Sequence, residues 1–263
     1  MKILIVNDDG YRGIGTHALI RALRKDHELT VAVPSRERSG NSNCITFLTP
    51  LTVEKIHLNS WISMLAPWMV PPADCAVMAL DQLCEEPPDV VISGINNGYN
   101  IADGVIYSGT VAAALQGAMK GIPAFALSAN HSYAWFDDAA SLFADLLPKF
   151  MEKEKGNHFF YNINFPDVPV NEIKGICKAT ISQGRMVNHL EQRVSPYGRP
   201  YYWHAYDLDT EYDLCKEEGS DGYATKNGYI SITLLCVSIT WIATPSKLCT
   251  TTITFFRDWK DGQ

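Results

Sequence analysis

The sequence lacks any run approaching the roughly 18 consecutive apolar residues that a membrane-spanning helix needs. Its first residues also lack the basic and then apolar order of a signal peptide. A membrane protein is therefore not expected, and a cytoplasmic one is. Positive charge is not in excess: 22 Lys and Arg stand against 29 Asp and Glu, for a net charge of -7. That balance gives no global attraction to a nucleic-acid polymer, so any phosphate must be held by local contacts. The seven cysteines show no Cys-x-x-Cys spacing and come in an odd number, which disfavours a zinc site or a disulfide framework and leaves reduced thiols, mostly core filler. No internal repeat or low-complexity tract occurs. The chain has no G-x-x-x-x-G-K-[ST], and Gly10, Gly13 and Gly15 are spaced G-x-x-G-x-G, the reverse of the dinucleotide fingerprint. A P-loop NTPase or an NAD enzyme is not expected on those grounds. Phosphatases that form an aspartyl-phosphate carry D-x-D at their first strand end, and Asn7 occupies the first of those positions.

What is present is a core-forming chain of 263 residues, 46% hydrophobic. Lys2-Ile3-Leu4-Ile5-Val6 reads as a buried parallel strand that breaks into Asn7-Asp8-Asp9-Gly10. Helical spacing follows through Ile14, Ala18, Leu19, Ala22 and Leu23, then a second strand, Leu29 to Val33, ended by Pro34. The alternation continues with a helix from Ala73 to Cys84, a strand from Asp89 to Ile92, a helix from Thr110 to Lys120, a strand from Ala124 to Leu127, a helix from Asp137 to Glu154 and a strand from Phe159 to Ile163. Such alternation predicts a doubly wound, mostly parallel α/β sheet whose strand ends share one rim. Beyond Pro166 the texture changes to alternating segments such as Tyr229 to Thr233 and Thr251 to Phe255, with Pro196 to Pro200 as a loop or hairpin tip. The division expected is a doubly wound α/β core over residues 1–165 and a hairpin-rich region over 166–263. The latter completes the core and makes oligomer contacts.

Two adjacent carboxylates at a strand end repel each other unless a cation lies between them, and ligands gather at such strand ends in open α/β sheets. The same pair would also serve with Asp9 as a helix cap and Asp8 in solvent. Three further polar turns follow strands or open a helix: Arg36 to Asn43, Ser93 to Asn100, and Tyr107-Ser108-Gly109-Thr110 ahead of Val111. Carboxylate, hydroxyl and amide oxygens from these turns form an all-oxygen shell suited to magnesium, manganese or calcium. The small residues before Val111 offer either an N-cap or a phosphate seat at a helix start.

Several ordered blocks resemble SurE, the survival protein family of metal-dependent 5′/3′-nucleotidases. They are Met1 to Gly10, Ser39-Gly40 with Asn43, Pro72-Ala73-Asp74-Cys75, Ser93-Gly94-Ile95-Asn96 with Gly98 and Asn100, Tyr107 to Ala114, Gly198 to Trp203 and Gly228 to Thr233. The resemblance implies a Rossmann-like fold and one divalent cation per subunit, held by Asp8, Asp9, Ser39 and Asn96. It implies a phosphate surrounded by Asn43, Asn100, Ser108, Gly109 and Thr110, and oligomer contacts from the C-terminal region. Departures are Gly104 where the family usually has a second aspartate, Val70-Pro71 for Gly-Thr, Leu234 for proline and Ser238 for aspartate.

The expected reaction is hydrolysis of nucleoside 5′- and 3′-monophosphates by direct attack of a metal-activated water, with Asp8 or Asp9 orienting it. Short polyphosphate is the alternative substrate. A receiver-type phosphate-binding module is the rival from another class, weakened because the middle strand ends in Ser93 where such domains place an aspartate. His131 is a candidate general acid. Tyr11, Tyr99, Trp135, Tyr201, Tyr202 and Trp203 are candidates to stack on a base.

Overall fold

The computed structural model describes residues 1–57, 63–65, 70–130, 135–152, 159–184, 189–205 and 215–236. The strands are β1 (Lys2–Val6), β2 (Glu28–Ala32), β3 (Lys55–His57), β4 (Ser63–Leu65), β5 (Val90–Asn97), β6 (Ala124–Ala129), β7 (Phe159–Phe165), β8 (Gly175–Lys178), β9 (His189–Val194), β10 (Pro200–Ala205) and β11 (Tyr229–Cys236). The α-helices are α1 (Ile14–Leu23), α2 (Pro72–Met78), α3 (Gly104–Tyr107), α4 (Gly109–Met119), α5 (Phe136–Met151) and α6 (Asp221–Lys226).

Nine strands form one sheet in the order β3-β4-β2-β1-β5-β6-β7-β11-β8. From β4 to β7 every neighbour is parallel, while β3 and β11 pair antiparallel with β4 and β7. The expected doubly wound, mostly parallel sheet is therefore the observed one. Residues beyond 166 complete it, because β11 and β8 extend the edge that β7 would otherwise leave open.

The two-residue period of a strand explains how both faces of the sheet are covered. Ile3 and Ile5 of β1 join a core with Leu19 and Leu23 of α1 and Phe143 and Leu147 of α5. Leu4 and Val6 turn to the other face and meet Cys75 and Ala76 of α2 and Ala113 and Ala114 of α4. Helix α4 lies close to the sheet because it is small on that side. A Cβ at Gly117 would come within 2.7 Å of Val91 Cγ2.

Most segments follow their periodicity, with one correction that bears on the site. The strand expected to end at Ile92 continues to Asn97, so Asn96 lies on β5 rather than in a turn. Pairing with β6 slips between Ser93 and Asn96, and Gly94 in that irregularity has φ +123°. A bulge of this kind lets a strand go on past residues that read as a turn. The helix expected over 73–84 is α2 followed by a π-helical turn, Ala79–Leu83. The tip expected at 196–200 closes the β9–β10 hairpin, with Ser195 N–H donating to Arg199 O at 2.8 Å. The strand expected over 251–255, His131 and Ser238 lie outside the described residues. Among the described residues, no helix is long and apolar enough to cross a membrane.

Candidate functional site

Strand order reverses at β1: the chain goes from β1 to β2 on one side and later enters β5 on the other. The carboxyl ends of β1 and β5 therefore flank a switch-point crevice. Asn7, fully buried, shapes the turn there. Its Nδ2 donates to Gly10 O at 2.8 Å and Thr16 Oγ1 at 2.6 Å, and its Oδ1 accepts from Gly10 N–H at 3.2 Å. Gly10 has φ +83°, and a Cβ there would sit 2.8 Å from the Arg36 backbone. Only glycine suits a turn that is both left-handed and pressed against its neighbour. The turn after β2 is tied in as well, since Arg38 N–H donates to Asp8 O at 2.7 Å. The N-terminal cap of α1 is Gly13, without a side-chain hydrogen bond, so Asp9 does not cap that helix.

Asp8 is only 3% exposed, and its Oδ1 accepts from the Thr110 hydroxyl at 2.5 Å. Gly109 lets α4 start against this carboxylate. An added Cβ would lie 3.0 Å from Asp8 Cβ and 2.9 Å from Pro72 Cγ. Ser108 is the N-cap of α4, its Oγ accepting from Val111 N–H at 3.1 Å. Burial pushes the Asp8 carboxyl up from the ordinary range, against the pull of the Thr110 hydroxyl. The Asp9 carboxyl is pushed up to about 7, first by burial and then by the charge of Asp8, with the Asn97 backbone N–H opposing. Its Oδ2 is buried without a hydrogen-bond partner.

A cleft of about 400 Å³ opens here, lined by Asp8, Ser39, Asn96, Asn100 and Ser108 among the expected residues. This volume falls within the range of small-ligand sites. Asp9, Gly109 and Thr110 are not in its lining, although Gly109 and Thr110 pack directly on Asp8. Asn43 is exposed and held aside, its Oδ1 accepting from Gln116 Nε2 at 2.7 Å. Ser39 Oγ donates to Glu37 Oε1 at 2.9 Å, and Asn96 Nδ2 donates to Gly98 O at 2.8 Å. Of the candidate stacking aromatics only Tyr99 lines the cleft; Trp135 lines a different depression with Asp138 and Val170. Gly104, a departure from the family pattern, is in the cleft wall, which is less acidic for it.

Two contributions were missed from sequence. Asn100 is held from behind: its N–H donates to Asn164 Oδ1 at 2.8 Å, its carbonyl accepts from Asn162 Nδ2 at 2.8 Å, and its Nδ2 donates to Ser128 Oγ at 2.8 Å. The readable signal was the pair of amides two apart in the otherwise apolar Phe159-Phe160-Tyr161-Asn162-Ile163-Asn164-Phe165. The other is His204 of β10, which reaches the cleft from the separate hairpin. It stands one residue beyond the last aromatic of Gly198 to Trp203, and no local pattern distinguishes it.

Among the described residues, no group of three or more His, Cys, Asp or Glu is placed to hold a metal. The donors are of another type: two carboxylates, a hydroxyl and an amide. A buried carboxylate oxygen without a partner, beside a second buried carboxylate, is costly by itself and is relieved by a cation. The residues present fit an oxygen-coordinated divalent ion.

A doubly wound sheet with carboxylates, polar oxygens and a helix start at its switch point defines a Rossmann-like α/β protein with its ligand site at the carboxyl edge of the strands. Comparison with known proteins gives this class a family. The model of Survival protein SurE matches residues 3–188. The 5′-nucleotidase SurE of Synechococcus sp. (strain JA-3-3Ab) is 37% identical over 246 residues, covering 91% of this chain and 93% of that protein. The 5′-nucleotidase SurE of Carboxydothermus hydrogenoformans is 41% identical over 209 residues, covering 77% and 79%. Among solved structures, the SurE protein of Aquifex aeolicus superposes with a TM-score of 0.78 at 34% identity, covering 91% of this chain and 95% of that one. The chain belongs to the SurE family.

Proposed function

We propose that this protein is a divalent-metal-dependent phosphomonoesterase that hydrolyses nucleoside 5′- and 3′-monophosphates. The observation that carries the reading is the meeting of Asp8, Ser39, Asn96 and the Ser108 end of α4 in one cleft. It is supported by the name 5′-nucleotidase borne by relatives that match nearly the whole chain. Asp8, Asp9, Ser39 and Asn96 would hold one magnesium, manganese or calcium ion. When bound, such an ion supplies Lewis-acid charge for the phosphoryl oxygens and the attacking water.

The chain's own residues do the rest. Helix α4 presents its first N–H groups, with their partial positive charge, to the phosphate beside Ser108 and Gly109. Asn100, anchored by Asn162 and Asn164, offers a positioned amide in the same cleft. Thr110 holds Asp8 in place, and Asp9 orients the water for attack in line with the departing oxygen. Residues 1–165 form the core that carries the metal- and phosphate-binding residues in this reading. Residues 166–263 complete the sheet and join subunits into a dimer or tetramer, a role supported by the exposed Val194, Tyr197 and Trp203 of the hairpin.

The test is inorganic phosphate release from nucleoside 5′- and 3′-monophosphates and short polyphosphates, with manganese, magnesium or chelator. Metal-dependent release from nucleotides is expected. Release that rises with polyphosphate length and is absent on nucleotides would replace the nucleotidase reading with the exopolyphosphatase one.

A further inference from the structure

Hydrolysis of a phosphate ester needs a proton at the oxygen that departs, and none of the metal- or phosphate-binding roles above supplies it; His131, the candidate from sequence, lies outside the described residues. Asp8 Oδ1 accepts from the Thr110 hydroxyl, and Ser108 Oγ accepts from Val111 N–H in the cap of α4. His204 is exposed on β10, lines the same cleft as Asp8, Ser39 and Ser108, and no hydrogen bond to another described residue holds its ring. Opposite it on β9 is Leu190, so its own hairpin provides no polar partner at that register position. Among the described cleft-lining residues it is the sole imidazole, the side chain used most often for proton transfer in enzymes.

We infer that His204 is the catalytic proton donor to the departing nucleoside oxygen, an inference that rests on the phosphomonoesterase reading above. The bond from water oxygen to phosphorus forms as the ester P–O bond breaks, and the electron pair of that bond goes to the nucleoside oxygen. That oxygen takes the proton from the imidazolium of His204. The neutral imidazole then recovers a proton from the product dihydrogen phosphate, leaving nucleoside and hydrogen phosphate. The chemistry balances with water as the one co-reactant.

The experiment compares the wild-type protein with His204→Gln and His204→Ala, manganese-loaded, on a nucleoside 5′-monophosphate and on p-nitrophenyl phosphate. The nitrophenolate departs without a proton. For a proton donor, kcat on the nucleotide falls about 100-fold or more while kcat on p-nitrophenyl phosphate changes by less than about threefold. The manganese-induced rise in thermal midpoint stays at the wild-type value, because His204 is exposed and is not assigned to the cation. Equal losses on both substrates, no loss on the nucleotide, or a lost manganese response would each overturn the role of His204 while the wild type remains a nucleotidase. A wild-type protein inactive on both substrates would overturn the phosphomonoesterase reading, and the inference with it.

Discussion

The carboxylate pair makes a prediction about stability that is independent of turnover. With chelator present, Asp9 has its carboxyl pushed up to about 7 from an ordinary 3.8. The folded-state value lies above the unfolded one, so the favourable contribution of the protonated group is fully present below pH of about 4. It is lost as pH rises toward about 7. Moving a carboxyl from 3.8 to about 7 corresponds to about 4 kcal/mol. Asp9→Asn removes this cost: an amide of the same shape can still accept from the Asn97 N–H and gives Asp8 a neutral neighbour. In chelator at pH 8 the variant should melt higher than wild type. At about 2 °C per kcal/mol for a chain of this length the gain is roughly 8 °C. At pH 4.5 the gain should shrink to about a quarter of that. Manganese should raise the wild-type midpoint at pH 8 and leave the variant nearly unchanged. Differential scanning calorimetry at the two pH values, with and without metal, reads all of this. An Asp9→Asn protein that melts lower than wild type in chelator at pH 8, or one that responds equally to manganese, would refute the reasoning.

Thr110→Val removes the hydroxyl that Asp8 accepts from; a loss of about 1.5–3 kcal/mol is expected in urea titrations, together with a lower kcat in phosphate-release assays. Gly109→Ala places a Cβ 3.0 Å from Asp8 Cβ, so destabilisation of about 1–3 kcal/mol is expected by thermal melting, with a fall in kcat of about tenfold or more as the carboxylate shifts. Chelation should abolish phosphate release, and manganese at about 100 times its Kd should restore it and add about 2.7 kcal/mol to unfolding stability. Light scattering should report a dimer or tetramer, and a charged residue in place of Trp203 should weaken it.

Local pattern carried much of the fold because both periodicities are local. The alternation of Ile3 and Ile5 with Leu4 and Val6 requires two covered faces, and the helical spacing from Ile14 to Leu23 supplies a cover for one of them. Short elements were not legible: β8 has four residues and α3 four, too few to show a period. The extension of β5 past Ile92 was missed because Ser93-Gly94 reads as a turn, whereas pairing with β6 carries the strand onward through a slip in register.

By itself, the sequence determined that Asp8 and Asp9 end a buried strand, that oxygen donors follow two other strands, and that small residues open a helix. These are properties of neighbours in the chain. Tertiary structure alone decided which of them share a cleft. Asn43 is drawn aside by Gln116, Thr110 is bound to Asp8, and Asn100 is fixed by two amides more than sixty residues away. It also brought His204 from a separate hairpin to the cleft of the β1–β5 switch point. The physical reason is that a hydrogen bond or a cleft wall depends on distance in space, and crossovers between strands bring together residues that no sequence window contains.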